Sequence, residues 1–331
     1  MGTSRFRSWS FSREKTFREC PRRFFFEYFP YGEPDANVLG VMKKATCLSM
    51  LVGTITHDLI ANALRLFKAT GKVRPGMHRQ GVALFDDALT ASAKAAPRVN
   101  QGLAVPIGTQ VLLHHLEKGS FEMRETLARE SLVTYLDAFE ASVAWDWLRS
   151  TERRDWQQVK AATDRKESII ASSKLGFQSS IGLRIYTPYD LALKVSDDFL
   201  IIDWKTGEKS SRAMASAKRQ TAIYALRALD KDFPLENIKL APYWLKADRQ
   251  VETRTVEADE IADVIRGIEE HDMTERALLT ERKDGEGKVE FCASKEDFQP
   301  KVGRHCADCK YRKLCPEGSR SVKPSEISAA K

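Results

Sequence analysis

The sequence predicts an α/β fold: a mixed sheet flanked by helices, with a long helical block before it and a cysteine-rich segment closing it. Three observations carry this. From residue 166 onward the patterns run strands, helix, strands, helix, the alternation of a sheet with covering helices. Residues 166–206 are rich in β-branched residues and alternate at period two. Residues 78–150, by contrast, read at helical period.

Composition bounds the rest. At 331 residues the chain can bury a large core, and 42% apolar with 30% charged residues is the balance of a folded globular protein. A formal charge of +7 favours polyanionic partners. The opening "MGTSRFRSWSFSREK" lacks the apolar core of a secretory signal, and no run is long enough to span a membrane. The expectation is a cytoplasmic protein with no membrane partner, whose six cysteines are thiols or metal ligands and not disulfides.

Element by element, residues 1–70 hold the N-terminal helices. "FSREKTFRECPRRFFFEYFP" reads as helix with Ser12 as a candidate N-cap and Pro21 as a break or fresh start. Residues 46–70 form a second long helix that includes Cys47 and stops at Gly71. Residues 71–150 are a helical insertion, and 151–300 the α/β core. Within that core a strand meander (166–206) leads to a helix at 213–230, a hairpin-like pair at 238–257 and a helix at 258–280. The cysteine cluster occupies 301–318, and the polar tail 319–331 is expected to fray.

The stretch "LIIDWKTGEKS" (200–210) poses the functional question. Alternation puts Asp203 and Lys205 on one side of a strand and Ile202 and Trp204 on the other, so two charges face a core. The preceding strand "YDLALKV" (189–195) meets it across "SDD". A two-residue loop at Ser196–Asp197 sets Asp190 opposite Asp203; one at Asp197–Asp198 sets it opposite Lys205. Either register leaves all three on one face, whereas a three-residue loop without a bulge would break that parity. Two carboxylates about 5 Å apart repel unless a cation lies between them, and oxygen donors suit Mg²⁺ or Mn²⁺. The plainer reading is a salt bridge of Asp203 with Lys205 or Lys194.

"DLALKVSDDFLIIDWKTG" is similar to the catalytic hairpin of PD-(D/E)xK nucleases, in the RecB-like branch. The resemblance implies a restriction-endonuclease-like core. It makes Asp190 the first acid, Asp203 the second and Lys205 the lysine, with Thr206 and Gly207 completing the pattern; here Tyr189 separates Pro188 from Asp190. "GTITH" resembles the branch's G-x-x-x-H, giving His57 to the metal shell with Gly53 one turn before it; a satisfied core histidine is the other reading. "QTAIY" resembles its Q-x-x-x-Y, placing Gln220 and Tyr224 beside the lysine and the DNA. Glu167 is a further candidate acid.

"HCADCKYRKLCP" supplies Cys306, Cys309 and Cys315, and "FRECPRR" a fourth thiol, Cys20. Spacing alone leaves zinc and iron–sulfur open. The resemblance to AddB-type nucleases and CRISPR adaptation exonucleases, which carry one cysteine before the core and C-x2-C-x5-C after it, implies a [4Fe–4S] cluster stapling the two ends together. Cys47 and Cys292 read as ordinary residues.

Basic and aromatic residues interleave at both ends of this set. Arg22, Arg23, Lys310, Arg312 and Lys313 are candidate phosphate contacts, as are Arg212, Lys218 and Arg219 after the site. Phe24, Phe25, Phe26 and Phe29 are either core or base-stacking residues. The expectation is a metal-dependent DNA exonuclease favouring single strands or ends. The chain has no nucleotide-binding G-x-x-x-x-G-K-[ST] and so is no helicase, though a helicase or a CRISPR or repair protein could partner it. The rival reading is a non-catalytic DNA-end-binding or scaffold subunit.

Overall fold

The computed structural model describes residues 2–4, 8–30, 36–73, 76–101, 103, 105, 109–116, 121–152, 156–159, 169–171, 182–283, 289–307 and 309–321. The chain divides into two compact units. One gathers Met1–Cys47, Ala88–Ser120 and Glu270–Lys331; the other gathers Leu48–Asp87 and Phe121–Glu269. No helix among the described residues is long and apolar enough to cross a membrane.

The first unit starts with strands β1 (Gly2–Ser4) and β2 (Ser8–Ser10) and helices α1 (Phe11–Glu19), α2 (Pro21–Tyr28) and α3 (Ala36–Lys43). The N-cap of α1 is Ser10, whose hydroxyl accepts from the Arg13 amide at 3.1 Å, and not Ser12, which lies inside the helix. Pro21 starts α2, where its missing N–H costs nothing. The four phenylalanines are core: Phe24 and Phe25 are wholly buried, and Phe24, Phe25 and Phe29 ring Phe298 with centroids 5.6–6.1 Å apart. The Arg13 guanidinium lies 4.6 Å over Phe24 and 4.2 Å over Tyr28 while it pairs with Glu275. That buried pair is satisfied from both sides.

Two strands of this unit, β10 (Leu279–Lys283) and β11 (Val289–Ala293), were not expected from sequence, which extended the preceding helix through residue 280. β11 pairs antiparallel with both β10 and β1. A strand whose partner lies almost 300 residues away carries no local signature. The chain closes in helix α10 (Pro316–Ser321), which covers the first residues of the expected frayed tail; 322–331 lie outside the described residues.

The second unit opens on α4 (Leu48–Thr70), ended by Gly71 at φ 71°. Cys47 precedes this helix instead of lying in it. The N-terminal part of α5 (Met77–Asn100), α6 (Glu122–Glu140) and α7 (Val143–Ser150) follow. Close approach explains a glycine here. A Cβ on Gly81 would lie 2.6 Å from Leu136 Cδ1 and 3.2 Å from Leu59 Cδ1, both leucines being buried. Alanine would gain about 1 kcal/mol of helix propensity but incur an overpacking cost of about 1–3 kcal/mol. Gly81→Ala is therefore expected to lower the melting temperature by a few degrees in a thermal scan.

The central sheet of this unit runs β3–β6–β7–β8–β9, over β3 (Trp156–Val159), β6 (Leu191–Val195), β7 (Asp198–Lys205), β8 (Ile238–Trp244) and β9 (Arg254–Thr255). Within the expected meander, β4 (Ile169–Ala171) pairs antiparallel with β5 (Arg184–Tyr186), outside the central sheet. β7 is central, antiparallel to β6 and parallel to β8. Parallel neighbours need a crossover, supplied by α8 (Ser211–Leu229), N-capped by Ser210. The expected hairpin at 238–257 is thus a minor feature: β8 meets β9 over two residue pairs, and its long partner is β7. Helix α9 (Ala258–Arg276) ends four residues earlier than expected.

Candidate active site and cysteine centre

The β6–β7 register decides the site. Val195 pairs with Asp198 and Leu191 with Ile202, so Ser196 and Asp197 form a two-residue loop, with Ser196 at φ 56°. Continued by one step, this register sets Asp190 across from Asp203, the first of the two alternatives. Asp190 sits just before β6, and its Oδ2 accepts the Trp204 amide at 2.9 Å. That bond ties the first acid to the backbone between the second acid and the lysine.

Each strand end is met by a helix. From α4, His57 Nδ1 lies 3.0 Å from Asp190 Oδ2. One turn earlier, a Cβ on Gly53 would lie 3.3 Å from Thr206 Oγ1, so the glycine lets α4 close on the end of β7. Gly53→Val is expected to push His57 outward by a fraction of an ångström or more and lower turnover about 10- to 100-fold. Circular dichroism should still report a folded protein; full activity would remove the close-approach argument.

From α8, Gln220 Oε1 accepts the Lys205 ammonium at 2.7 Å, and Gln220 Nε2 donates to the Tyr224 hydroxyl. Lysine has no acceptor, so this chain fixes the amide's orientation. Lys205 also pairs with Asp203 on its own strand. Asp190 and Asp203 are 5% and 4% exposed, an unusual depth for two acids side by side. Burial raises the Asp203 carboxyl above its ordinary range, and the Asp190 charge adds to the rise against the opposing pull of Lys205. Burial likewise holds the Tyr224 phenol far above its usual value, so it stays protonated.

Asp190, Asp203, Lys205, His57, Gln220 and Tyr224 are thus gathered within the second unit. Glu167 lies outside the described residues. The donor set, two buried carboxylates and an imidazole, fits a hard or borderline divalent cation. A buried acid held in excess of its own lysine is a site where such a cation relieves repulsion.

The cysteines gather in the first unit. Cys20, Cys306, Cys309 and Cys315 line one small cavity of about 20 Å³. A Cβ on Gly318 would lie 3.4 Å from Cys315 Sγ and 3.8 Å from Cys306 Sγ, so this glycine leaves the sulfur side of the cavity open. Burial pushes the Cys309 thiol up to about 11 and raises that of Cys315. Two buried nitrogens on the cavity wall, Arg23 Nε and His305 Nε2, have no hydrogen-bond partner among the described residues. Four thiols with unmet donors around them fit a thiolate-bound metal group. Cys292 is buried elsewhere, paired through β11.

Most of the expected phosphate contacts are engaged otherwise. Arg22 is buried, its Nε donating to the Phe298 carbonyl at 2.8 Å, and Arg23 pairs with Glu19. Lys310 binds Glu27 and the Lys43 carbonyl, Arg312 the Ala307 carbonyl and Lys313 the Leu116 carbonyl. A guanidinium nitrogen of Arg219 lies 3.2 Å from where a Cβ on Gly267 of α9 would stand, and Tyr224 is 4% exposed. Arg212 and Lys218 remain exposed on α8. Sequence could not separate these groups, because a basic residue reads alike whether it faces water or a carbonyl. His305, adjacent to Cys306, was passed over, although its neighbour marked the place.

A central hairpin carrying two acids and a lysine, a parallel crossover helix behind it and a histidine from a preceding helix define a restriction-endonuclease-like α/β fold. The chain belongs to the PD-(D/E)XK nuclease superfamily, whose family model matches residues 8–316. Membership assigns it to the metal-dependent nucleases, which hydrolyse phosphodiesters. A search among curated proteins finds no match.

Proposed function

We propose that this nuclease is a deoxyribonuclease of the RecB-like branch that degrades DNA from ends, favouring single strands, and that its four cysteines hold a [4Fe–4S] cluster. The observation that carries the catalytic part is the hydrogen bond from the Trp204 amide to Asp190 Oδ2, which fixes the first acid beside Asp203 and Lys205. His57, Asp190 and Asp203 would hold Mg²⁺ or Mn²⁺. When bound, such an ion offsets charge on the phosphate oxygens and lowers the pKa of an attacking water.

The remaining steps belong to side chains. Gln220 holds the Lys205 ammonium by its amide oxygen, so the charge stands ready where negative charge grows on the phosphate. Tyr224, kept protonated by burial, anchors the other end of that amide. Asp190, fixed by a backbone amide, cannot swing away when the phosphate arrives. The intact acids and lysine favour this reading over a scaffold subunit.

The cluster reading is supported by four thiols lining one cavity, fed from both ends of the matched region. Absorbance near 400 nm under anaerobic conditions, with iron and zinc analysis, tests it. Strand preference and polarity are read from single strands labelled at either end, beside circular DNA that offers none. Cleavage of the circle at the linear rate would overturn the end-dependent reading.

Exposed Arg212 and Lys218 are the phosphate contacts in this proposal. Replacing either with alanine is expected to weaken binding to all sequences alike. The slope of log affinity against log salt should fall by about 0.7 for each contact on a single strand. An unchanged slope would remove that residue from the DNA path.

A further inference from the structure

We propose that Arg22, Arg23 and His305 form a collar around the four-cysteine centre, supplying counter-charge and N–H donors to a bound thiolate–metal group instead of contacting DNA. The inference rests on the cluster reading above, and two separate observations carry it.

The first is charge. Both arginines line the cavity with the four thiols. Four thiolates around a [4Fe–4S]²⁺ core carry a net charge of −2, as four thiolates around Zn²⁺ also do. A buried dianion without compensation is costly, and guanidiniums on the wall offset part of that cost. Lys301 and Arg312 line the same wall, donate to the Arg18 and Ala307 carbonyls, and add positive charge there. Arg22 could not serve a phosphate in solvent, because it is buried and held by the Phe298 carbonyl.

The second is hydrogen bonding. Arg23 Nε and His305 Nε2 are buried against this cavity with no partner among the described residues. Buried donors are almost always satisfied, and an orphan on the wall of a ligand site marks where the ligand accepts. Around metal–thiolate groups the acceptors are sulfurs, and N–H···S bonds both retain the group and raise its reduction potential. His305 plays this part in its Nε2–H tautomer, with the ring packed over Gly303, where a Cβ would lie 3.1 Å from Cε1. Arg23 already gives one terminal nitrogen to Glu19, which aims the rest of the guanidinium.

The test uses the full chain purified anaerobically, as wild type, Arg23→Met, Arg23→Lys and His305→Phe. Each is measured for metal per protein, rate of metal loss to a chelator, reduction potential and the salt slope of single-strand binding. The expected result is that Arg23→Met and His305→Phe load metal but lose it about tenfold faster, at a more negative potential. Arg23→Lys, which keeps the charge, should recover most of the lifetime, and no variant should change the salt slope. Wild-type lifetimes and potentials in both replacements would overturn the collar while leaving the metal centre in place. A salt slope lowered in Arg23→Met would make Arg23 a phosphate contact and also overturn it. A wild-type protein that binds neither iron nor zinc would remove the cluster reading itself, a result distinct from either. If zinc is found, the chelator rates still decide. Should Arg23→Met fail to accumulate, Arg23→Gln and His305→Phe carry the same comparison.

Discussion

Asp203→Asn is expected to abolish metal-dependent DNA hydrolysis, by about a thousandfold or more, while raising the melting temperature of the metal-free protein. The two effects have one cause. Asp203 is buried beside Asp190, and burial outweighs Lys205 in setting its carboxyl, which therefore binds a proton more readily folded than unfolded. A carboxylate of this kind contributes stability that is present at low pH and lost as pH rises from the ordinary carboxylate range through its raised folded value. At neutral pH the ionised group opposes folding of the metal-free chain, and an uncharged amide of the same shape does not. The amide, however, is a poor partner for a divalent ion, and several kcal/mol of transition-state stabilisation go with that loss.

The measurements are degradation of labelled single-stranded DNA with Mn²⁺ and thermal scans with and without metal. Metal should raise the melting temperature of the wild type and leave that of Asp203→Asn nearly unchanged. Acid should weaken metal binding, since proton and ion compete for one carboxylate, so activity should fall on the acid side at a pH above the ordinary carboxylate range. Equal DNA degradation by wild type and variant would end the assignment of Asp203 to the reaction. A variant less stable than the wild type without metal would instead end the account of its burial.

Cys306→Ser is expected to lose the bound metal group and to lower the melting temperature by about 10 °C or more. Cys20 and Cys306 lie roughly 290 residues apart, and closing a loop of that length removes entropy from the unfolded chain worth on the order of 5 kcal/mol. A metal group held by these cysteines would also join α2, with its phenylalanine core, to the C-terminal segment that carries Tyr311. Because burial holds the Cys309 thiol at about 11, loading must drive off its proton, so metal uptake should rise with pH. Metal analysis and thermal scans across pH check both statements. A variant that keeps its metal and its melting temperature would show that Cys306 is not a ligand.

Sequence alone went far toward the face that carries the candidate catalytic residues. Strand side chains alternate whatever the surroundings, so Asp203 and Lys205 had to share a side; Asp190 joins them because the loop the structure takes is two residues long, which sequence left open against three. Helical period likewise put Gly53 below His57 and Gln220 below Tyr224. These are local constraints, fixed by backbone geometry within a few residues. The choice of register, with Asp190 opposite Asp203, was left open because both loops satisfy that geometry; the structure takes the first, with the Trp204 amide bonded to Asp190.

Only the tertiary structure decided which charges are free. Arg22, Arg23, Lys310, Arg312, Lys313 and Arg219 look alike in sequence to Arg212 and Lys218, yet six are held by carbonyls, carboxylates or a neighbouring helix. The parallel pairing of β7 with β8 and the return of β11 to β1 were equally invisible, since both partners are remote along the chain. A side chain's type limits what it can bind, but what it does bind is set by whichever polar group the fold brings within reach, because a buried donor left without one costs more than any local preference can offset.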